Sequence, residues 1–225
     1  MGLSSPFSLQ PSALNLIFMK PKESLKIAPL PTPEEKAVSP YDIVICRAGT
    51  TGCPHAIINP KPIADKIEAL LDELGLGEHI KAKARGKLLY HMKFKVALAG
   101  CPNSCSQPQI KTFGLSGQAR PVATDAPCTE CMQCVEICKE EGAVKIVDAK
   151  PVFDYSLCVL CDDCAEVCPT ESIVIEKKGV KVMTRGKLGR HQKLADVIKE
   201  LATEDEVYEI LKSVAEEYMN QSSNR

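Results

Sequence analysis

Val96-Ala97-Leu98-Ala99-Gly100-Cys101-Pro102-Asn103-Ser104-Cys105 joins an apolar run to two thiols. The run predicts a strand over Phe94–Ala99, and Pro102, Asn103 and Ser104 predict a turn straight after it. Two cysteines separated by three residues at the end of a strand are well placed to grip one face of a metal cluster. The chain has 12 cysteines in 225 residues, and they fall into groups.

Upstream, Tyr41–Ile45 predicts a second strand, ending at Cys46, and Cys53 follows in Cys53-Pro54-His55. Ile63, Ile67, Leu70, Leu71 and Leu74 then fall on one helical face, and Gly75 is a stop signal. Residues 78–91 are basic and read as helical or irregular, and Gly114-Leu115-Ser116-Gly117 reads as a turn. Near the C-terminus, Val180–Met183 predicts a strand and Thr184–His191 a basic, glycine-bearing loop. Thr203 and Glu206 form a capping box for a last helix with Val207, Ile210, Leu211, Val214 and Tyr218 as its buried stripe. Asn220–Arg225 is a polar tail. Residues 1–40 form a Pro- and Ser-rich extension with short strands expected around Leu14–Met19 and Leu25–Ala28.

Lys plus Arg (28) nearly balances Asp plus Glu (29), and Trp is absent. That balance argues against a nucleic-acid partner. No stretch approaches the roughly 18 apolar residues of a membrane span. Met1–Gln10 lacks Lys and Arg, and Leu16-Ile17-Phe18-Met19 is short for a signal-peptide core. A reduced, cytoplasmic compartment is therefore expected, where dense cysteine means metal rather than disulfide.

Eight cysteines lie in a repeat. Cys128, Cys131, Cys134 and Cys138 are spaced C-x2-C-x2-C-x3-C, and Cys158, Cys161, Cys164 and Cys168 repeat that spacing 30 residues on, with Pro169 next. Ala143–Val147 after the first set is echoed by Ile173-Val174-Ile175 after the second. Structural zinc and disulfides also use such thiols, but the duplicated spacing favours iron–sulfur. The segment resembles the two-cluster bacterial ferredoxins, which implies a small antiparallel sheet and two short helices around two [4Fe-4S] centres. The resemblance implies that Cys128, Cys131, Cys134 and Cys168 hold one cluster, and that Cys158, Cys161, Cys164 and Cys138 hold the other. Asp162, Asp163 and Glu166 should lower the potential of the second.

Four cysteines remain: Cys46, Cys53, Cys101 and Cys105. Together with Ala99–Cys105 and Gly186-Lys187-Leu188-Gly189-Arg190-His191, they resemble the sirohaem/[4Fe-4S] half-domain of the sulfite and nitrite reductases. The likeness covers roughly residues 41–225. Some anaerobe versions, dissimilatory sulfite reductase subunits among them, carry an inserted ferredoxin module at this place. The resemblance implies an α+β fold with a mixed sheet and helices. Its host domain is discontinuous, over 41–122 and 178–225, with a ferredoxin-like 2[4Fe-4S] module at 123–177. It also implies a third [4Fe-4S] cluster on Cys46, Cys53, Cys101 and Cys105, with Cys105 bridging to sirohaem. The substrate would be sulfite or nitrite, and the electrons would come from an external donor protein or subunit.

Reducing such an oxyanion needs protons and positive charge, for which Arg47, Lys93, Lys95, Lys187 and Arg190 are candidates; solvated surface is the rival reading for each. His55 and His191 are further candidate proton donors, although a lone His near a turn is more often structural. Two departures stand out. Cys46 and Cys53 are spaced C-x6-C where the family has five intervening residues, so a bulge within Arg47–Gly52 is expected. Residues 1–40 cannot supply the N-terminal half-domain that completes the sirohaem pocket in the family. Hence a partner subunit or homo-oligomer completes the pocket, or the site is minimal, or sirohaem is absent. In the last case the chain is a non-catalytic electron-transfer subunit.

Overall fold

The computed structural model describes residues 39–223, so the strands expected within 1–40 and the end of the polar tail lie outside the described residues. Strand β1 (Tyr41–Ile45) leads through helices α1 (Pro60–Glu73) and α2 (Leu76–Lys83) to strand β2 (Phe94–Ala99). Strands β3 (Phe113–Ala123), β6 (Ile173–Thr184) and β7 (Asp196–Ala202) complete a mixed sheet of order β1-β2-β3-β6-β7. The first three strands run parallel, and β6 and β7 run antiparallel to their neighbours. Between β3 and β6 lie helix α3 (Gln133–Ile137), a hairpin of β4 (Val144–Val147) and β5 (Lys150–Phe153), and helix α4 (Asp163–Glu166). Helix α5 (Glu204–Ser223) closes the chain. The α+β class and mixed sheet agree with the sequence.

The helical face read from the sequence is the buried one. Ile67 and Leu71 of α1 are fully buried against Phe94, Val96, Leu98 and Leu115, and α5 adds Val207, Leu211 and Ala215. Phe94 meets Tyr218 edge-to-face, with ring centroids 5.2 Å apart. The capping box forms: Thr203 N donates to Glu206 Oε2 at 2.8 Å, and Glu206 N to Thr203 Oγ1 at 3.4 Å.

Two expectations need correction. Gly114–Gly117 is not a turn but the buried start of β3. A Cβ on Gly114 would sit 2.3 Å from Pro108 O, and one on Gly117 2.4 Å from Gly100 O. These glycines allow close backbone approach rather than chain reversal. Similarly, Val180–Met183 is not a separate strand. β6 runs unbroken through Gly179, so the eight-cysteine segment leaves the sheet after Ala123 and rejoins it at Ile173, which is Ala123's register partner.

Candidate metal centre

The host thiols gather where two parallel strands end. Ile45 pairs with Leu98, so Cys46 and Gly100-Cys101 emerge side by side at the carboxyl ends of β1 and β2. Such ends open a crevice suited to a bound group. Cys46 N donates to Leu98 O at 3.0 Å, and Gly100 N donates to Cys46 Sγ at 3.1 Å. The residues between Cys46 and Cys53 form a single 3-10 turn, Arg47–Gly49, and both Thr50 N and Gly52 N return to Arg47 O. That turn takes up the long spacing. Ser104 takes a left-handed φ of 54° between the next two thiols, closed by Ser104 N donating to Cys101 O at 3.2 Å.

Each host thiol has a donor. Besides Gly100 N on Cys46, the Arg47 guanidinium hydrogen-bonds Cys53 and holds its thiol below the usual range. Asn103 Nδ2 donates to Cys105 Sγ at 3.0 Å. Burial pushes Cys101 up, against the pull of a hydrogen bond from the Asn103 amide. Donors of this kind stabilise sulfur that carries negative charge.

The eight remaining cysteines divide between two cavities. Cys138, Cys158, Cys161 and Cys164 line one of about 380 Å³, and Cys53, Cys101 and Cys105 line the same cavity. Cys128, Cys131, Cys134 and Cys168 line a second, narrower one with Met132 and Ile146. The fourth cysteine of each sequence set therefore faces the other set's cavity. The cysteine loops also repeat in conformation. Glu130 and Leu160, 30 residues apart, have φ of 53° and 62°, and Met132 and Asp162 have 61° and 71°. Alternating left-handed residues turn successive N–H groups inward, a concavity that binds anionic sulfur. The helices that follow bury Cys134 and Cys164 against Val144 and Ile173.

Burial pushes Cys164 up to about 12 and Cys161 up to about 11. At Cys168 burial acts in the same sense, but hydrogen bonds led by the Ser172 hydroxyl (3.2 Å) outweigh it and bring the thiol down to about 7. The segment leans on the sheet: Ala119 N donates to Leu160 O at 2.8 Å, Tyr155 Oη donates to Pro121 O at 2.8 Å, and Arg120 stacks 4.2 Å over the Tyr155 ring.

Of the basic candidates, Arg47 alone is brought to the cysteines. Lys93 and Lys95 lie at the start of β2, the end opposite Cys101, where Lys95 sits 4.4 Å over the Tyr90 ring. Lys187 is in the loop that packs on Gln109 and Lys111, at the Phe113 end of β3, and Arg190 and His191 follow in that loop. Sequence reasoning placed the lysines by strand alternation, which gives a face but not an end. His55 lines the larger cavity beside Asp162. Asn103 was missed as a donor; its place within Cys101–Cys105 was the available signal.

A model of the nitrite and sulphite reductase 4Fe-4S domain matches residues 42–225. The chain belongs to that family. Over 49 residues this nitrite/sulphite reductase domain is 43% identical to the coenzyme F420-dependent sulfite reductase of Methanocaldococcus jannaschii, a stretch covering 22% of this chain and 8% of that protein. A structure of dissimilatory sulfite reductase I aligns over 79% of the chain and 45% of its own, at 15% identity and a TM-score of 0.47. The NirA protein of Mycobacterium tuberculosis aligns over 80% and 22%, at 17% identity and a TM-score of 0.43. The domain thus spans less than half the length of each of these proteins. No helix among its described residues is long and apolar enough to cross a membrane.

The thiols present fit iron–sulfur clusters: all 12 are free, all but Cys46 line the two cavities, and backbone N–H groups donate to Cys46 and Cys128. Ser106 Oγ, beside Cys105, is buried without a partner among the described residues, a donor awaiting an acceptor. For sirohaem the fit is partial. Cys105 is exposed, but of the basic candidates only Arg47 lies near it.

Proposed function

We propose that this chain is the iron–sulfur half of a sulfite- or nitrite-reducing oxidoreductase, carrying three [4Fe-4S] clusters in series. Cys128, Cys131, Cys134 and Cys168 hold the outer cluster. Cys138, Cys158, Cys161 and Cys164 hold the middle one, and Cys46, Cys53, Cys101 and Cys105 the inner one. The observation that carries this order is the cavity shared by Cys53, Cys101 and Cys105 with the middle set. Clusters held by these two sets would share one cavity, so no long stretch of protein would separate them. Sirohaem, held at Cys105, would supply an iron at which the oxyanion is reduced.

The chain's own residues do the rest. Gly100 N donates to Cys46 and Asn103 Nδ2 to Cys105, and the Arg47 guanidinium favours the ionised form of Cys53. Arg47 also gives the inner site a fixed positive charge. Because Lys93, Lys95, Lys187 and Arg190 stand elsewhere, the remaining positive charge and the closure of the pocket would come from outside the described residues, a partner subunit being one source. That same placement favours the second reading, an electron-transfer subunit with no sirohaem of its own.

The visible spectrum of anaerobically purified protein tests the choice. Haem bands with about thirteen iron, one of them in the haem, and about twelve labile sulfide per chain support the reductase. A cluster shoulder alone, from cells that make sirohaem, selects the electron-transfer subunit.

A further inference from the structure

The chain's net charge of −1 conceals a segregation. Residues 124–172 hold 11 Asp and Glu against 3 Lys, a formal charge of −8. All other residues hold 18 acidic and 25 basic side chains, a charge of +7. The acids of the sheet and long helices are largely spent internally: Asp42, Glu176, Glu200, Glu204, Glu206 and Glu217 all pair with Lys or Arg. Within the cysteine segment only Asp162 does so, at 4.0 Å from Lys178. The others form no ion pair within 4.0 Å among the described residues, and all but Asp163 are exposed.

Their placement is as telling as their number. Glu130 stands between Thr129 and Cys131, and Glu171 between Thr170 and Ser172, on two sides of the cavity of Cys128, Cys131, Cys134 and Cys168. Both are exposed, as is Cys131. Met132 (42% exposed), Ile137 (39%), Val147 (50%) and Val152 (50%) put apolar surface on the same segment. An apolar centre with a charged rim is the anatomy of a transient protein interface, and charge of one sign selects a partner of the other. The middle cavity is taken up with the inner thiols, which leaves this outer one as the side facing a partner.

We propose that the acidic surface around Cys128, Cys131, Cys134 and Cys168 is the docking site of an electron-donor protein whose redox centre is ringed by Lys and Arg. The proposal rests on the cluster assignment above. At each encounter the donor's reduced centre loses one electron and the outer cluster gains it, passing from the 2+ to the 1+ state. No bond changes and no proton moves. Pairing of opposite charge makes the encounter fast at low salt and slow at high salt.

The test uses the full holoprotein and runs the step in reverse. The protein is photoreduced anaerobically and mixed with ferric cytochrome c, a basic haem protein; the cluster loses one electron and the haem iron gains it. The second-order rate should fall about tenfold or more between about 20 mM and about 0.5 M NaCl. With an acidic flavodoxin as acceptor it should not fall. The double variant Glu130→Gln/Glu171→Gln should slow the cytochrome reaction at low salt about fivefold and flatten its salt dependence, with iron and labile sulfide unchanged. A salt-independent rate, or a variant as fast as the parent, overturns the docking site while leaving the clusters assigned. Iron and sulfide too low for three clusters in the parent protein overturn both. Sedimentation at low salt showing that the chain pairs with itself, abolished by the double variant, makes a second copy the occupant and also overturns it.

Discussion

Gly100 N donates to Cys46 Sγ at 3.1 Å and so ties the end of β1 to the turn that carries Cys101 and Cys105. Cys46 was the thiol that its spacing to Cys53 left in doubt. The extra residue is stored in the 3-10 turn Arg47–Gly49, a reversal that brings Cys53 back towards its partners without moving Cys46. On the ligand assignment above, Cys46→Ser should lower iron from about twelve to about eight per chain by removing only the inner cluster. Iron and sulfide analysis with EPR of the reduced protein checks this. Unchanged iron would remove Cys46 from the ligand set.

Cys138 and Cys168 should trade places relative to their sequence groups. Cys138→Ala should abolish the signal of the cluster on Cys158, Cys161 and Cys164, and with it any magnetic interaction between the middle and inner clusters. Cys168→Ala should abolish the other signal and leave that interaction intact. EPR of the two reduced variants decides, and the opposite pattern would assign each fourth cysteine to its own repeat.

Arg47 touches Cys53 and is coupled electrostatically to Cys105 and Cys46. Removing its charge should destabilise the reduced, more negative inner cluster. Redox titration of Arg47→Gln should therefore find the inner midpoint potential lower, with the other two clusters unmoved, and Arg47→Lys should recover part of the difference.

Leu211 of α5 is fully buried in the core beneath the sheet. Leu211→Ala should cost about 2–5 kcal/mol of stability, read by denaturant unfolding of the loaded protein. Cluster content in native conditions should be unaffected, because the residue belongs to the sheet–helix core and not to either cysteine cavity.

Glu206 is held down to about 2 from 4.5, first by Lys199 and then by the amide of Thr203. A carboxyl whose folded value is depressed adds stability that is complete above its unfolded value. That contribution is lost as pH falls from about 4.5 towards about 2. Glu206→Gln should therefore lower the melting temperature at neutral pH and make it less sensitive to acid across that window.

The residues that chemistry constrains were the legible ones. The apolar period of Ile63, Ile67 and Leu71 announced the buried face of α1, and the repeated cysteine spacing marked out the segment between β3 and β6. Strand β7 was illegible because it is an edge: Val197 and Ile198 are adjacent, both half-exposed, and leave no two-residue alternation to read. Gly114 and Gly117 misled because glycine marks turns and close approaches alike, and only the neighbouring backbone distinguishes them. For Lys93 and Lys95 the difficulty was direction, since alternation tells which side of a sheet a residue takes but not how far it lies from a strand's end.

The hairpin of β3 and β6 has a consequence for how such a chain can be assembled. Ala123 and Ile173 are register partners, so the two ends of the cysteine segment are next to each other in the sheet. A segment tethered in that way can be excised and its ends rejoined by a short turn, leaving strand order untouched. Loop closure grows only with the logarithm of length, so carrying the segment adds little entropic cost. Eight cysteines can thus be gained or shed as one cassette, in a single genetic event, without redesigning the sheet that holds the other four.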